Sequence, residues 1–133
     1  MAALKKNQTP RNEKFLAWVR GQDSCVSRDY ANVVTHHVRM YGWGGMGIKP
    51  SDYRVVPLTH AEHLRLHHHG EASFWEEVGI DPRSVIAANM LVYLRDVMHE
   101  PYAVDNAEAL AGLGYDGMIE ALESKVISLS KFH

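Results

Sequence analysis

The sequence predicts an α+β protein: two short strands joined by a glycine-rich loop, a helix directly behind them, then helices to the end. Three observations lead there. Asn32-Val33-Val34-Thr35-His36-His37-Val38 and Asp52-Tyr53-Arg54-Val55-Val56-Pro57-Leu58 are rich in β-branched residues and flank the stretch Gly42-Trp43-Gly44-Gly45-Met46-Gly47, which cannot be regular structure. Thr59 is followed three residues on by Glu62, the pattern of a reciprocal N-terminal cap. Beyond residue 80 apolar side chains recur at helical spacing.

Taken in order, residues 1–12 are polar, contain Asn7-Gln8-Thr9-Pro10 and read as an arm. Lys5, Lys6, Arg11 and Lys14 could follow phosphates or simply be solvated. Glu13 to Arg20 holds Phe15, Leu16, Trp18 and Val19, a short strand or a helical turn, and Gly21-Gln22-Asp23-Ser24 reads as a turn. The first strand carries His36 and His37 near its end. Pro57 is expected to limit the second at its far end, because proline cannot donate to a ladder. The helix then spans Ala61 to about His69 and stops at Gly70. Ser73-Phe74-Trp75-Glu76 is a further capping pattern, opening a short helix that ends at Gly79. Asp81-Pro82 starts the next one, with Ile86, Met90, Tyr93 and Val97 as its apolar stripe. Asp105 to Glu108 resembles another cap, Gly112-Leu113-Gly114 is a break, and Ile119, Leu122, Val126 and Leu129 form a last stripe. The organisation expected is a basic arm or short element over 1–20, a core over 21–80, and a helical extension over 81–133 packed on that core.

Composition narrows the function classes. A chain of 133 residues with 46% hydrophobic content fits one domain with a modest core. No apolar run approaches a membrane span, and the N-terminus lacks the apolar stretch of a signal peptide, so a cytoplasmic location without membrane attachment is expected. Cys25 is the only cysteine, which excludes an internal disulfide and a cysteine zinc knuckle. It reads as a small buried hydrophobe, not a nucleophile. The net charge of −2 conceals an asymmetry: residues 1–70 hold ten Lys/Arg against five Asp/Glu, and residues 71–133 hold four against eleven. A basic half suits a polyanionic ligand.

That half also holds seven of the nine histidines, between His36 and His69. Residues four apart on a helix share a face, so His63 and His67 can aim two imidazoles at one point. Alone, such a pair also arises by chance or caps a helix. Adjacent residues on a strand point to opposite faces. If His36 faces the helix and completes a metal site, His37 lies beside that site, free to act as a base. His60, His68 and His69 are neighbours without an assigned task.

Together these segments carry a resemblance. His36-His37-Val38-Arg39, Gly44-Gly45-Met46-Gly47, Lys49-Pro50-x-Asp52, Val56-Pro57-Leu58 and His63-x-x-x-His67 resemble an HNH endonuclease of the ββα-metal class. They are most similar to the phage and prophage group of recombination-enhancement nucleases that includes Ref. The Gly-Met-Gly-x-Lys-Pro-x-Asp segment is its more specific part, and the resemblance covers roughly residues 24–82. It implies a ββα-metal core with His37 as general base and with His36, His63 and His67 as metal ligands. Asp52 would stand at the position of the name-giving Asn, bracing the loop and orienting the base. Two departures stand out. An ionised Asp accepts but cannot donate as Asn does. Thr59 and Glu62 stand where many HNH proteins have structural cysteines.

The implied activity is hydrolysis of DNA phosphodiesters with one divalent metal ion. An all-imidazole site favours Zn²⁺ or Ni²⁺ for tight binding, while Mg²⁺ or Mn²⁺ could support turnover. Lys49, Arg39 and Arg54 are candidates for phosphate contact, and Trp43 for packing or base stacking. DNA is the expected partner, with a recombinase filament as a further one. Two rivals stand beside this reading: a non-catalytic zinc-stabilised module that binds DNA or a recombinase, and a metal-buffering histidine-rich protein.

Overall fold

The computed structural model describes residues 9–44, 47, 49–101 and 105–131. Residues 1–8 of the expected arm, with Lys5 and Lys6, and Gly45 and Met46 of the glycine-rich motif lie outside the described residues. The chain separates into two compact units, Met1–Pro82 and Arg83–His133.

In the first unit, α1 spans Glu13–Arg20, which resolves the strand-or-turn alternative as a helix. The reason is local. The Asn12 side chain accepts the Phe15 N–H at the helix start, and Gly21 closes the end. Side-chain capping of an orphan N–H favours a helix where apolar content alone is ambiguous. Phe15 and Val19 are fully buried.

Strands β1 (Val33–His37) and β2 (Val55–Thr59) pair antiparallel, with His36 opposite Val56 and His37 opposite Val55. The second strand therefore begins later than expected and runs through Pro57 instead of ending there. The register explains this. Val38 N donates to Arg54 O, and His60 N to Asn32 O, so Thr35 and Pro57 fall at a non-hydrogen-bonded pair. The missing proline N–H would have pointed away from β1, where no ladder bond is made. The Pro57 carbonyl on that outer edge accepts the Cys25 N–H. Val55, Val56, Pro57 and Leu58 are all buried, as expected for a strand covered on both faces; α1 and the following helix both pack on the hairpin.

That helix, α2 (His60–His69), starts directly after β2. Thr59 Oγ1 accepts Glu62 N, and the Glu62 carboxylate accepts Thr59 N. The same carboxylate accepts the Ser24 hydroxyl, whose oxygen in turn accepts the N–H groups of Val26 and Ser27. A polar clasp thus ties the 24–27 loop to the start of α2. Burial on its own would raise the Glu62 carboxyl, but the hydrogen bonds from Ser24, Ser27 and Thr59 hold it below its usual range. Gly70, at φ +90°, ends α2, a conformation that side chains with a Cβ rarely adopt. Helix α3 (Glu71–Val78) follows without a connecting loop. It therefore opens two residues before the expected cap at Ser73, and it closes at Gly79 in the left-handed conformation.

The second unit is helical: α4 (Pro82–Asp96), α5 (Ala107–Ala111) and α6 (Gly114–Ser130). Ile86, Met90 and Tyr93 of the first stripe are buried, as are Ile119, Leu122 and Val126 of the last. Among the described residues no helix is long and apolar enough to cross a membrane.

Candidate metal centre

Strand alternation and helical periodicity bring three imidazoles together. His36 is buried at 4% exposure and faces α2. Its Nδ1 lies 3.2 Å from His63 Nε2, and His63 Nε2 lies 3.0 Å from His67 Nε2. All three nitrogens lie within 4.8 Å of one another. Two imidazole nitrogens bound tetrahedrally to one Zn²⁺ at ~2.0–2.1 Å would sit roughly 3.3 Å apart. The donor set and its spacing therefore fit a single borderline cation. His63 is half-buried among His36, His67 and His60, and burial followed by those neighbours pushes its pKa down to about 4. It is neutral at neutral pH, the form in which an imidazole ligates a metal.

His37 points to the other face of β1. Its Nε2 lies 2.8 Å from Asp52 Oδ1. An ionised carboxylate only accepts, so Nε2 carries a proton, and in the neutral ring Nδ1 is the acceptor. Asp52 is itself buried at 5% exposure. It accepts Arg11 Nη1 at 3.0 Å on Oδ1 and the Asn12 backbone N–H at 2.7 Å on Oδ2. Burial acts to raise its carboxyl, but the bonds from His37, Asn12 and Arg11 outweigh burial and hold it below its ordinary value.

This arrangement yields a stability prediction. Asp52→Ala leaves three donors without their acceptor and should cost about 1–3 kcal/mol, read from the urea midpoint. The pH dependence has a definite sign. A depressed folded pKa means that the unfolded chain takes up the proton first. The stabilisation from Asp52 is therefore present above its ordinary value of 3.8 and fades as pH falls through the lower folded value. Wild type and Asp52→Ala should converge in that acid window. Parallel midpoints down to the lowest pH would contradict the account.

Two residues absent from the sequence reading of the site complete it. Glu71, on the first turn of α3, lies 2.8 Å through Oε2 from His36 Nε2, the nitrogen opposite the cluster. The same oxygen accepts Trp75 Nε1 at 3.1 Å, and Oε1 accepts the Arg39 N–H at 3.0 Å. Burial would raise the Glu71 carboxyl, but His36, Trp75 and Arg39 together hold it below its usual range. Arg11 is the second. Read in sequence as an arm cation, it is pinned to Pro50 O and Asp52.

The candidate phosphate contacts are unequal. Lys49 and Arg39 are exposed. The Arg54 guanidinium lies 4.7 Å over the Trp43 ring, which also meets Tyr41 at 5.0 Å, so Trp43 packs within the loop. Cys25, expected as a buried hydrophobe, is half-buried; its thiol is pushed up to about 12, by burial first and Glu62 second, and stays protonated.

A hairpin, an abutting helix and three convergent imidazoles define a small α+β protein with a ββα core and a site able to chelate a divalent ion. Residues 2–90 match the family described as Protein of unknown function (DUF968), and the chain belongs to that family. No curated protein and no solved structure matches it.

Proposed function

We propose that this protein is a metal-dependent DNA endonuclease of the HNH type. The observation that carries the reading is the placement of two chemical devices on opposite faces of one strand: the three-imidazole cluster around His36 and the His37–Asp52 dyad. A cation held by His36, His63 and His67 would neutralise the phosphate and stabilise the departing 3′-oxygen. His37 takes the proton from the attacking water at Nδ1. Asp52 holds the ring in that tautomer and stabilises the imidazolium that forms. The carboxylate therefore serves the orienting task with Oδ1 alone, which the acceptor-only character of Asp allows. Lys49 and Arg39 supply exposed cations for the backbone, and Arg54 lines the same loop through Trp43. Zn²⁺ or Ni²⁺ suits the nitrogen donors, and Mg²⁺ or Mn²⁺ would leave positions to water and phosphate. A recombinase filament is a candidate loader for DNA.

The test is cleavage of supercoiled plasmid and of single-stranded DNA across Mg²⁺, Mn²⁺, Zn²⁺ and Ni²⁺. Metal-dependent nicking abolished by chelator is the expected result. A folded sample that binds metal and DNA yet cuts neither substrate under any of the four ions would replace this reading with that of a binding module.

A further inference from the structure

We infer that Glu71 is a positioning residue that sets the tautomer of His36 and so decides which of its nitrogens faces the metal. The inference rests on the metal-site reading above. An imidazole offers a lone pair at one nitrogen only when the other holds the proton. Glu71 Oε2 sits against His36 Nε2, so the proton is held there and Nδ1 presents its lone pair toward His63 and His67. A carboxylate behind a liganding imidazole also raises its basicity and fixes the ring plane.

Glu71 is unusually well placed for this. It belongs to α3, outside the strand β1 and the helix α2 that supply the imidazoles, and the chain turns at Gly70 to return it to β1. Its side chain is 14% exposed. Both oxygens are engaged: Trp75 Nε1, on a side chain buried at 3% exposure, holds Oε2, and the Arg39 N–H at the end of β1 holds Oε1. Trp75 and Arg39 thus brace the carboxylate that orients His36. Among the described residues Glu71 hydrogen-bonds to His36 and to neither of the other two imidazoles, although its charge also acts on His63 through space.

The experiment uses the full chain. Zn²⁺ affinity is measured by competition with a chelating dye for wild type, Glu71→Gln, Glu71→Leu and, as control, Glu76→Gln, an exposed position on the same helix. Circular dichroism checks that each is folded. The imidazole ¹⁵N shifts of metal-free wild type report the His36 tautomer without recourse to any variant. Expected are an Nε2–H tautomer in wild type, a loss of Zn²⁺ affinity of about 10–100-fold in Glu71→Leu, a smaller loss in Glu71→Gln, which keeps an acceptor oxygen, and none in Glu76→Gln. Folded Glu71→Leu that binds Zn²⁺ like wild type overturns the inference and leaves the metal site standing. An Nδ1–H tautomer in wild type overturns it as well, even if Glu71→Leu does not fold. Wild type without Zn²⁺ affinity overturns the metal reading itself, and this inference with it.

Discussion

His37→Ala is expected to lower DNA cleavage by about 10²–10⁴-fold, the usual worth of a positioned general base, while metal affinity and DNA affinity stay close to wild type. The separation follows from the strand. His36 and His37 are adjacent, yet one meets α2 and the other meets Asp52, so truncating His37 leaves the three-nitrogen cluster intact. Single-turnover nicking of supercoiled plasmid reads the chemical step, and metal and DNA titrations on the same sample read the rest. Asp52→Asn should retain more cleavage than His37→Ala, because an amide oxygen can still accept the Nε2–H. A His37→Ala protein that cuts at the wild-type rate would remove His37 from the chemistry. A loss of metal binding in step with cleavage would make it a structural residue of the site.

His63→Ala should remove high-affinity metal binding altogether. His63 is the middle member of the cluster, with its Nε2 within 3.2 Å of both His36 Nδ1 and His67 Nε2. Two nitrogens on separate elements then remain, and a chelate of three becomes a loose pair. The consequence is also thermodynamic. A ligand that binds only the folded state stabilises it by about 2.7 kcal/mol at a hundredfold excess over Kd. Wild type should therefore melt later with Zn²⁺ and return to its metal-free midpoint with chelator, whereas His63→Ala should show neither shift. An equal rise in the variant would point to metal held elsewhere, for instance at the exposed His68 and His69.

The members of the histidine cluster are legible in the sequence. Two periodicities prepare the cluster: His63 and His67 share a helical face because they are four apart, and His36 and His37 diverge because strand side chains alternate, while the approach of His36 to His63 across 27 residues is tertiary. The reciprocal cap at Thr59 and Glu62 was readable for the same reason, since its partners are three residues apart. The identity of α1 was not, although Asn12 before Glu13 was an available signal. The four apolar residues after it suit either element, so the cap alone separates helix from strand there. Pro57 misled because its effect depends on which edge of the strand it faces, and that depends on pairing with a distant segment.

The sequence by itself determined the strand–strand–helix order, the helical remainder, and which histidines share a face or diverge, because each follows from contacts within one turn or one strand. Only the tertiary structure decided what stands behind those histidines. Glu71 reaches His36 across 35 residues, and Arg11 and Asn12 reach Asp52 across 41 and 40. No local periodicity encodes such contacts. They arise when the segments carrying Arg11, Asn12 and Glu71 fold against the same end of the hairpin, where β1 finishes and β2 begins, and there the carboxylates of Asp52 and Glu71 orient His37 and His36. The linear pattern does not set Glu71 apart from a surface charge.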